Sequence, residues 1–482
     1  MSVDESRIQE IVSRVLERLG EPAYGARASS ASTPSDAPPS TGRGIFEDLD
    51  AAVRAATDAQ RALVALPVET RKSIVEAMRS AVRANARLFA EMAVRETGMG
   101  RVEDKIQKNL IVGELTPGVE FLETWAVSGD HGLTIEEFAP WGVIGSLTPS
   151  TNPTETVINN GISMVAAGNA VAFGPHPSAE KVTCRCVEVL NDAISASGGP
   201  PNVLVALAKP TIERAQALMH HAGIRLLVVT GGSAVVQEAM KHGKRVIAAG
   251  PGNPPAVVDE TADLEKAGRD IVLGASLDNN VVCTDEKEVF VTEKAADALK
   301  QGMRAAGAVE LEPRQIAALE KAILTENRGP RRHSVVEKRF IGKNPSVILR
   351  EIGMQVGDDV RIVLCEVPPE HPFVWTELLM PVLAVARVRD VDDAIRWAVD
   401  AEHGFRHTAS MHSRNIDKLS AMAKIVNTSI FVKNGPNYAG LGFGGEGYTS
   451  FTIAGPTGEG MTSCRTFSRR RRCVLVDRFR IV

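Results

Sequence analysis

The sequence predicts an α/β protein whose core consists of two doubly wound parallel sheets. Short apolar strands alternate with helical segments, a pattern typical of parallel strands joined by crossover helices. A first set of alternating strands and helices runs from the strand GVIGSLT at 142–148 to the strand RVIAA at 245–249. A second such set begins near residue 259. With 482 residues, of which 44% are hydrophobic and 24% charged, the chain can bury the cores that such sheets need.

The first predicted element is an amphipathic helix at residues 1–19. Its aliphatic side chains recur at helical spacing from Ile8 to Leu19, and charged side chains fill the opposite face. Ser2 and Glu5 fit the capping box expected at its start. Residues 20–43, GEPAYGARASSASTPSDAPPSTGR, are rich in Ala, Ser, Pro and Gly, and this composition predicts a disordered linker.

Residues 44–482 form the predicted globular body, with one α/β set at 44–258, a second at 259–440 and a C-terminal segment at 441–482. The elements follow from apolar periodicity, which switches between the periods of strands and helices. Those expected in the first set are helices 47–64 and 70–96, strand 142–148, helix 154–167, strand 170–173, helix 178–195, strand 202–207, helix 211–221, strand 225–230, helix 233–241 and strand 245–249. Those expected in the second set are helix 261–276, strand 288–292, helix 294–305, strand 382–388, helices 391–400 and 413–424, and strand 428–433.

Composition excludes several classes of function. The net charge of −4 does not favour a polyanionic partner, so the run from Arg469 to Arg472 is interpreted as a solvated or subunit-contacting edge and not as a nucleic-acid site. The six cysteines form no CxxC pair and no zinc spacing with the histidines, so we expect no metal. No apolar run reaches the about 18 residues of a membrane span, and there is no secretory signal. We therefore expect a cytosolic protein with free thiols.

Three loops follow predicted strands at their carboxyl ends, where open α/β sheets bind ligands. Asn152 lies in TPSTNPTE, and Pro153 is expected to open the next helix at its first position. Gly231 and Gly232 lie in VVTGGSAVV, with Ser233 as the expected cap of the following helix. Glycines before a helix suit a phosphate, but a plain tight turn explains them equally well. The third loop, AAGPGNPPA, predicts an extended backbone held close to another group.

Cys283 stands at the mouth of a loop, between a polar bend at 278–280 and the strand at 288–292. A thiolate that attacks an aldehyde forms a tetrahedral thiohemiacetal, and its oxyanion needs donors such as an asparagine amide and a backbone N–H. Loss of a hydride to a nicotinamide would then leave a thioester. The residues alone also fit a buried, inert thiol.

The stretch HGFRHTASMH contains His403, His407 and His412. The first two have a spacing that suits a metal on a helix, but Gly404 separates them and no third ligand is evident. We interpret this stretch as a helix end that leads into a strand.

The body is similar to the aldehyde dehydrogenase superfamily, and most of all to its CoA-acylating branch in bacterial microcompartments, which comprises propionaldehyde and acetaldehyde dehydrogenases. The resemblance implies the aldehyde dehydrogenase fold. It makes 44–258 a Rossmann-like nucleotide- and CoA-binding domain with an oligomerisation arm near 128–140, 259–440 the catalytic domain, and 441–482 a contributor to oligomerisation. The segments that carry it are LTPSTNPTETVINNGISMVAAGNAVAFGPHPSA, VVTGGSAVVQEAM, AAGPGNPP, LDNNVVCTDEKEV, TELLMPVLAV and YAGLGFGGEGYTSFTIAGPTGEG.

The same resemblance assigns roles to individual residues. Cys283 falls on the catalytic nucleophile and Asn152 on the oxyanion-hole amide, while Glu377 falls on the carboxylate that binds the nicotinamide ribose. Apart from the resemblance, His176 in GPHPSA is a candidate contact for the adenosine of the cofactor or for the CoA phosphates, and a loop histidine packed between prolines explains it equally well. The resemblance also places Thr230 and Gly231 in the cofactor loop and Gly250 beside the nicotinamide, and the full set of predicted cofactor-binding positions is Thr230, Gly231, Gly232, Gly250, Glu377, Pro175 and His176.

Two departures from hydrolytic members of the family bear on the reaction. Those members resemble ELGGKSP where this chain reads AGPGNPP, and Ala249 falls on the glutamate that activates water in them. No carboxylate lies between His242 and Asp259. Without such a base water attack on a thioester is slow, whereas a thiol such as CoA does not need it. Gly174 and Pro177 replace the Lys and Glu of the adenosine site, which leaves the choice between NAD and NADP open.

We therefore expect a CoA-dependent acylating aldehyde dehydrogenase that converts a short-chain aldehyde, CoA and NAD+ into acyl-CoA and NADH. The alternatives are a hydrolytic enzyme that releases free acid and a non-catalytic assembly protein. Acetaldehyde, propionaldehyde and lactaldehyde all remain as substrates. Residues 1–19 resemble encapsulation peptides, which implies binding to microcompartment shell or cargo proteins and a place in the microcompartment lumen within the cytoplasm. The resemblance also implies a homo-oligomer, either a dimer or a tetramer.

Overall fold

The computed structural model describes residues 43–481, so the predicted helix at 1–19 and nearly all of the predicted linker at 20–43 lie outside the described residues. The α-helices of the described part are α1 Leu49–Ala65, α2 Val68–Thr97, α3 Val102–Leu115, α4 Pro153–Ala166, α5 Glu180–Ala196, α6 Ile212–His220, α7 Ser233–Ala239, α8 Leu264–Ala275, α9 Ala296–Ala305, α10 Pro313–Ile323, α11 Pro345–Arg350, α12 Val391–Ala401 and α13 Ile416–Val426. Its strands are β1 Ile45–Phe46, β2 Trp125–Gly129, β3 Gly132–Pro140, β4 Val143–Leu147, β5 Ala170–Gly174, β6 Leu204–Leu207, β7 Ile224–Thr230, β8 Arg245–Ala249, β9 Pro255–Val258, β10 Glu288–Thr292, β11 Ala308–Glu310, β12 Leu324–Glu326, β13 Val335–Val336, β14 Ile362–Glu366, β15 Val382–Val388, β16 Thr408–His412, β17 Ile430–Lys433, β18 Ile453–Ala454, β19 Gly460–Met461 and β20 Ser468–Val476.

The first sheet has six strands in the order β1-β6-β5-β4-β7-β8, and all of them pair in parallel. From β4 the chain builds outward through β5 and β6, then returns to add β7 and β8 on the other side. The strand order therefore reverses between β4 and β7. In open α/β sheets ligands bind at the carboxyl ends of the strands at such a reversal.

The second sheet has seven strands in the order β11-β14-β15-β10-β9-β16-β17, again with parallel pairs throughout. Strand β10, which follows the Cys283 loop, lies at the centre. Its neighbour β9 pairs on its other side with β16, so the amino ends of these three strands lie next to one another. Strand β9 was not predicted, because it begins with a proline and directly follows a glycine- and proline-rich loop.

Both sheets are covered on both faces, as a doubly wound fold requires. On β4, Ile144 belongs to one apolar cluster and its neighbour Val143 to the cluster on the opposite face. On β10, Phe290 and Val289 divide in the same way between two further clusters. The predicted fold class is confirmed, while the domain boundaries at 258 and 440 stay predictions.

Side-chain caps explain where several helices begin. The carboxylate of Asp263 accepts from the N–H of Lys266, so α8 starts at Leu264 and not at residue 261. Asn415 caps α13 in the same way, which moves its start from 413 to Ile416. The prediction that Ser233 caps α7 is wrong, since Ser233 is the first residue of that helix and its cap position is taken by Gly232 without a side-chain bond.

A separate three-stranded antiparallel sheet is formed by β2, β3 and β20, with β3 in the middle. Its hairpin covers 125–140, close to the predicted arm at 128–140, and β20 lies in the predicted C-terminal segment at 441–482. The arginine run lies on β20, where Arg472 and Arg470 pair with Glu136. Apolar side chains such as Trp125 and Val476 are exposed on this sheet, at 49% and 62%. No helix within residues 43–481 is long and apolar enough to cross a membrane.

Candidate active site

Cys283 follows a bend of three residues with left-handed backbone. Asp278, Asn279 and Asn280 have φ values of 48°, 57° and 64°, a conformation that Asp and Asn tolerate better than other side-chain-bearing residues. Each is held by buried hydrogen bonds; Asn280, for example, donates to the carbonyls of Ala275 and Glu286 at 2.7 and 3.0 Å. The predicted polar bend is thus a turn fixed by hydrogen bonds. Cys283, the candidate nucleophile, follows it in a partly exposed position.

A buried lysine closes the loop around Cys283. The ammonium of Lys287, which is 3% exposed, donates to Asn280 O and Oδ1, each at 2.8 Å, and to Val282 O at 3.0 Å. Its positive charge also lowers the pKa of the Cys283 thiol. Burial acts in the opposite direction and more strongly, and together with the nearby Glu377 carboxylate it raises that pKa to about 12. Cys283 therefore rests as a thiol.

The glycine- and proline-rich segment before β9 packs against this loop. A Cβ atom on Gly252 would lie 2.7 Å from the carbonyl oxygen of Cys283 and 3.0 Å from Cγ of His407, so only glycine fits there. The N–H of Gly252 donates to Oε1 of Glu377 over 3.4 Å. The structure thus brings Glu377 and Cys283 to one place, and Gly250 lies two residues away along the same segment.

His407 is a member of the site that sequence reasoning missed. Its imidazole is 1% exposed and Nδ1 lies 2.9 Å from the hydroxyl of Thr408. Burial, assisted by the charge on Lys287, lowers its pKa to about 3, so the ring is neutral. Nε2 has no hydrogen-bond partner among the described residues. His403 packs against Trp375 instead, with ring centroids 5.5 Å apart. The predicted helix end and strand in this stretch are both present.

Asn152 lies just before α4, and Pro153 occupies the first turn of that helix as predicted. Its side-chain oxygen accepts from the ammonium of Lys108 at 2.6 Å, and its amide nitrogen makes a longer bond of 3.3 Å to the Thr151 hydroxyl. Lys108 also pairs with Asp278 at 2.7 Å. Asn152 and the bend before Cys283 therefore share one buried cation.

The predicted cofactor loops lie at the carboxyl ends of the first sheet. Thr230 ends β7 next to Ala249, which ends β8, and the N–H of Gly231 donates to the carbonyl of Ala249 at 3.0 Å. A Cβ at Gly232 would meet nothing within 4 Å, so this turn borders open space. Pro175 and His176 follow β5, with Pro175 buried and His176 exposed. Strands β5 and β7 flank β4, which leads to Asn152.

The site is thus enclosed between two sets of strand ends. The first sheet contributes the carboxyl ends of β4, β5, β7 and β8, whereas the second contributes the loops before β9, β10 and β16. The side chain of Ala249 is 4% exposed and carries no base. Within residues 43–481 no group of three or more His, Cys, Asp or Glu side chains is arranged to hold a metal ion.

The fold and this site define a class of protein. The family model for aldehyde dehydrogenases matches residues 41–466, and the chain belongs to the aldehyde dehydrogenase family. It is 54% identical over 440 residues to the acetylating acetaldehyde dehydrogenase EutE of Salmonella typhimurium, covering 91% of this chain and 94% of that protein. The predicted resemblance to the acylating branch is confirmed by this similarity.

Solved structures agree with the sequence similarity. Propionaldehyde dehydrogenase of Rhodopseudomonas palustris, with bound CoA and an acylated cysteine, superposes with a TM-score of 0.88 at 48% identity, over 91% of this chain and 99% of that one. A propionaldehyde dehydrogenase from the fucose utilisation microcompartment of Clostridium phytofermentans gives a TM-score of 0.88 at 43% identity, over 91% of this chain and 100% of that one. The individual residue roles stay predictions.

Proposed function

We propose that this protein oxidises a short-chain aldehyde to its acyl-CoA thioester, with NAD+ as hydride acceptor and CoA as acyl acceptor. Two features together support the proposal. Cys283 lies on a hydrogen-bonded turn beside Glu377 and His407. Position 249 is an alanine and therefore has no carboxylate. The first feature suits covalent catalysis by a thiol, and the second removes the base that hydrolysis needs.

The first step is attack of the Cys283 thiolate on the aldehyde carbonyl carbon. Because the pKa of the thiol is about 12, the proton must pass to a nearby base before or during attack. Nε2 of the neutral His407 imidazole has no hydrogen-bond partner among the described residues, but its pKa of about 3 makes it a weak base toward this thiol. The oxyanion that forms takes hydrogen bonds from Nδ2 of Asn152 and from the N–H of Cys283.

The second step is hydride loss from the thiohemiacetal carbon, which leaves a thioester on Cys283. When bound, NAD+ supplies the hydride acceptor. The residues present fit such a group, since the turn at Gly232 borders open space and Glu377 has a carboxylate oxygen that accepts from Gly252 over a long 3.4 Å bond. Thr230, Gly231, Gly232, Gly250, Glu377, Pro175 and His176 are the positions proposed to hold it.

The last step is transfer of the acyl group to CoA. Between His242 and Asp259 there is no carboxylate that could activate water, and the Ala249 methyl group is buried. A thiol is the better nucleophile toward a thioester and needs no such base. The acyl-enzyme should therefore persist in water and be discharged rapidly by CoA.

We also propose that the protein acts as an oligomer inside a microcompartment. Strands β2 and β20 each have an unpaired edge in the described chain, and they carry the exposed side chains of Trp125 and Val476, features that suit pairing with another copy. The relative from Clostridium phytofermentans is named for a microcompartment. The helical pattern at 1–19, outside the described residues, supplies the proposed contact with shell or cargo proteins.

One assay separates this proposal from its alternatives. Purified protein is incubated with NAD+, CoA and a panel of two- to four-carbon aldehydes, and acyl-CoA is quantified for each. The proposal predicts acyl-CoA in proportion to NADH and identifies the preferred aldehyde from the panel. Steady release of free acid at a comparable rate without CoA would support a hydrolytic enzyme, and no product with any aldehyde would support a non-catalytic assembly protein.

The location has its own test. Residues 1–43 fused to a fluorescent protein should enter co-expressed cognate shells, and Ile11→Asp with Leu16→Asp should abolish entry because it interrupts the apolar face. A fusion that stays diffuse beside assembled shells would contradict the proposal.

A further inference from the structure

A buried lysine lies behind the proposed oxyanion donor. The ammonium of Lys108 donates to Oδ1 of Asn152 over 2.6 Å and pairs with Asp278 at 2.7 Å and with Glu155 at 2.9 Å. The Lys108 side chain is 2% exposed, and those of Asp278 and Glu155 are fully enclosed. Lys108 therefore connects the amide of Asn152 to the bend that leads to Cys283.

The chemistry of an ammonium group determines which way the amide points. Lysine has donors and no acceptor, so the amide atom that faces Lys108 must be the oxygen. Nδ2 then points to the other side, where the described structure gives it one long contact, 3.3 Å to the hydroxyl of Thr151. One N–H of the amide is left for an oxyanion.

Lys108 carries a positive charge at neutral pH. Burial works against that charge, but Asp278 and Glu155 outweigh burial and raise the pKa of Lys108 above its usual value. If an apolar side chain replaced Lys108, the Asp278 carboxylate would remain as an acceptor near the amide. Nδ2 of Asn152 would then turn toward Asp278, and Oδ1 would face the substrate, where it repels an oxyanion.

We propose that Lys108 is a positioning residue for acyl transfer, which fixes the Asn152 amide with Nδ2 toward the substrate and ties it to the loop of the nucleophile. The inference rests on the proposed function, in which Asn152 is the oxyanion donor. Lys108 acts through Asn152 and not on the reacting atoms.

The chain contains a matched control one helical turn away. Lys105 is also on α3, is fully buried and pairs with the same Asp278 oxygen at 2.7 Å, but its other hydrogen bond goes to the carbonyl of Thr151 and not to Asn152. Lys108→Met and Lys105→Met are each combined with Glu155→Gln. Both double variants then retain one lysine opposite Asp278, so the buried charges stay balanced.

Two rates are measured on each variant. The first is aldehyde-dependent NADH formation in a single turnover, which passes through an oxyanion. The second is alkylation of Cys283 by iodoacetamide, a displacement at saturated carbon that forms no oxyanion and reports only on the thiol and its access. The ratio of the two rates isolates the contribution of the Asn152 amide from any general disturbance of the site.

We expect this ratio to fall by roughly 10-fold to 100-fold in the Lys108 variant, approaching the about 10²–10³-fold loss typical when an oxyanion donor is removed. In the Lys105 variant it should stay within about twofold of the parent, since the amide keeps its partner. Equal ratios in the two variants would overturn the inference. Lys108→Leu with Glu155→Gln gives a second apolar replacement if the methionine variant is insoluble.

Asn152→Ala separates this inference from the proposed function. If Asn152→Ala keeps its full acylation rate, Asn152 is not the oxyanion donor. The positioning role of Lys108 and the proposed role of Asn152 would then both be wrong. If Asn152→Ala loses acylation while the Lys108 variant keeps the parental ratio, the role of Asn152 stands and only the positioning role of Lys108 fails. When Lys108→Met and Glu155→Gln are added to Asn152→Ala, the ratio should fall no further.

Discussion

The ammonium of Lys287 donates to the main-chain oxygen of Val282 over 3.0 Å and so holds the residue directly before Cys283. The same cation lies near enough to lower the pKa of the Cys283 thiol against the effect of burial. The carboxylates of Glu377 and Asp285 act in the opposite direction and raise its pKa.

Replacement of Lys287 should therefore make Cys283 a poorer nucleophile in the free enzyme. The charge of Lys287 lowers this pKa, so Lys287→Met should slow alkylation by iodoacetamide at pH 9, by about tenfold for each unit by which the pKa rises. The same change at the partly buried Lys300, which pairs with Glu310 and Glu366, serves as the control. An unchanged alkylation rate in a folded Lys287→Met protein would show that Lys287 does not activate the Cys283 thiol.

Gly252 should not tolerate a side chain. Gly252→Ala places a Cβ against the carbonyl of Cys283 and the ring of His407, and the resulting shift of the nucleophile should lower the rate by about 10²-fold. Gly129→Ala is the matched control, because a Cβ there meets nothing within 4 Å. Steady-state turnover of both variants with saturating CoA checks the prediction, and comparable rates would show that the tight packing is unimportant.

Ala249→Glu should create a slow hydrolytic activity. A carboxylate at the end of β8 supplies the base that the parent chain lacks, so free acid should form without CoA while the CoA-dependent rate falls. Ala249→Gln has a similar size but no basic oxygen, and it should lower the CoA-dependent rate without producing acid. Acid formation by both variants, or by neither, would show that a base at position 249 does not determine whether water or CoA accepts the acyl group.

His412 should make the fold sensitive to acid. In the unfolded chain a histidine binds its proton near pH 6.5, whereas burial of His412 lowers its pKa to about 3 in the fold. Between these values only the unfolded chain is protonated, so this contribution to stability is complete above pH 6.5 and declines as the pH falls toward 3.

The expected size is about 2 kcal/mol lost from the free energy of unfolding between pH 7 and pH 5. His412→Gln should reduce the pH dependence in that interval by this amount. Urea unfolding at both pH values measures the difference. An identical pH dependence in the parent and in His412→Gln would contradict the burial argument.

Much of the fold could be predicted from sequence, because the apolar strands of a doubly wound sheet carry a strong local signal. Strands β4 to β8 and the helices between them lie within a few residues of their predicted bounds, and Pro153 opens α4 as expected. Helix starts were shifted where a polar cap such as Asp263 or Asn415 precedes the apolar pattern.

The polar partners of the site could not be predicted in this way. Lys108 lies 44 residues from Asn152 and 170 from Asp278 in the chain, and nothing in its helix distinguishes it from a surface lysine. His407 reaches the site only because β16 pairs with β9, which pairs with β10. The order of strands in the second sheet decides that contact, and local periodicity contains no information on it.

We infer that Cys283 carries an acyl group that CoA, and not water, removes. The direct test is mass spectrometry of the protein after incubation with aldehyde and NAD+ alone, followed by addition of CoA, with Cys283→Ala as the negative control and Cys473→Ala, at an exposed cysteine, as the positive one. We predict one acyl group on the Cys283 peptide, which persists in buffer and disappears with CoA as acyl-CoA forms. An acyl group on another residue, or one lost equally fast without CoA, would contradict it.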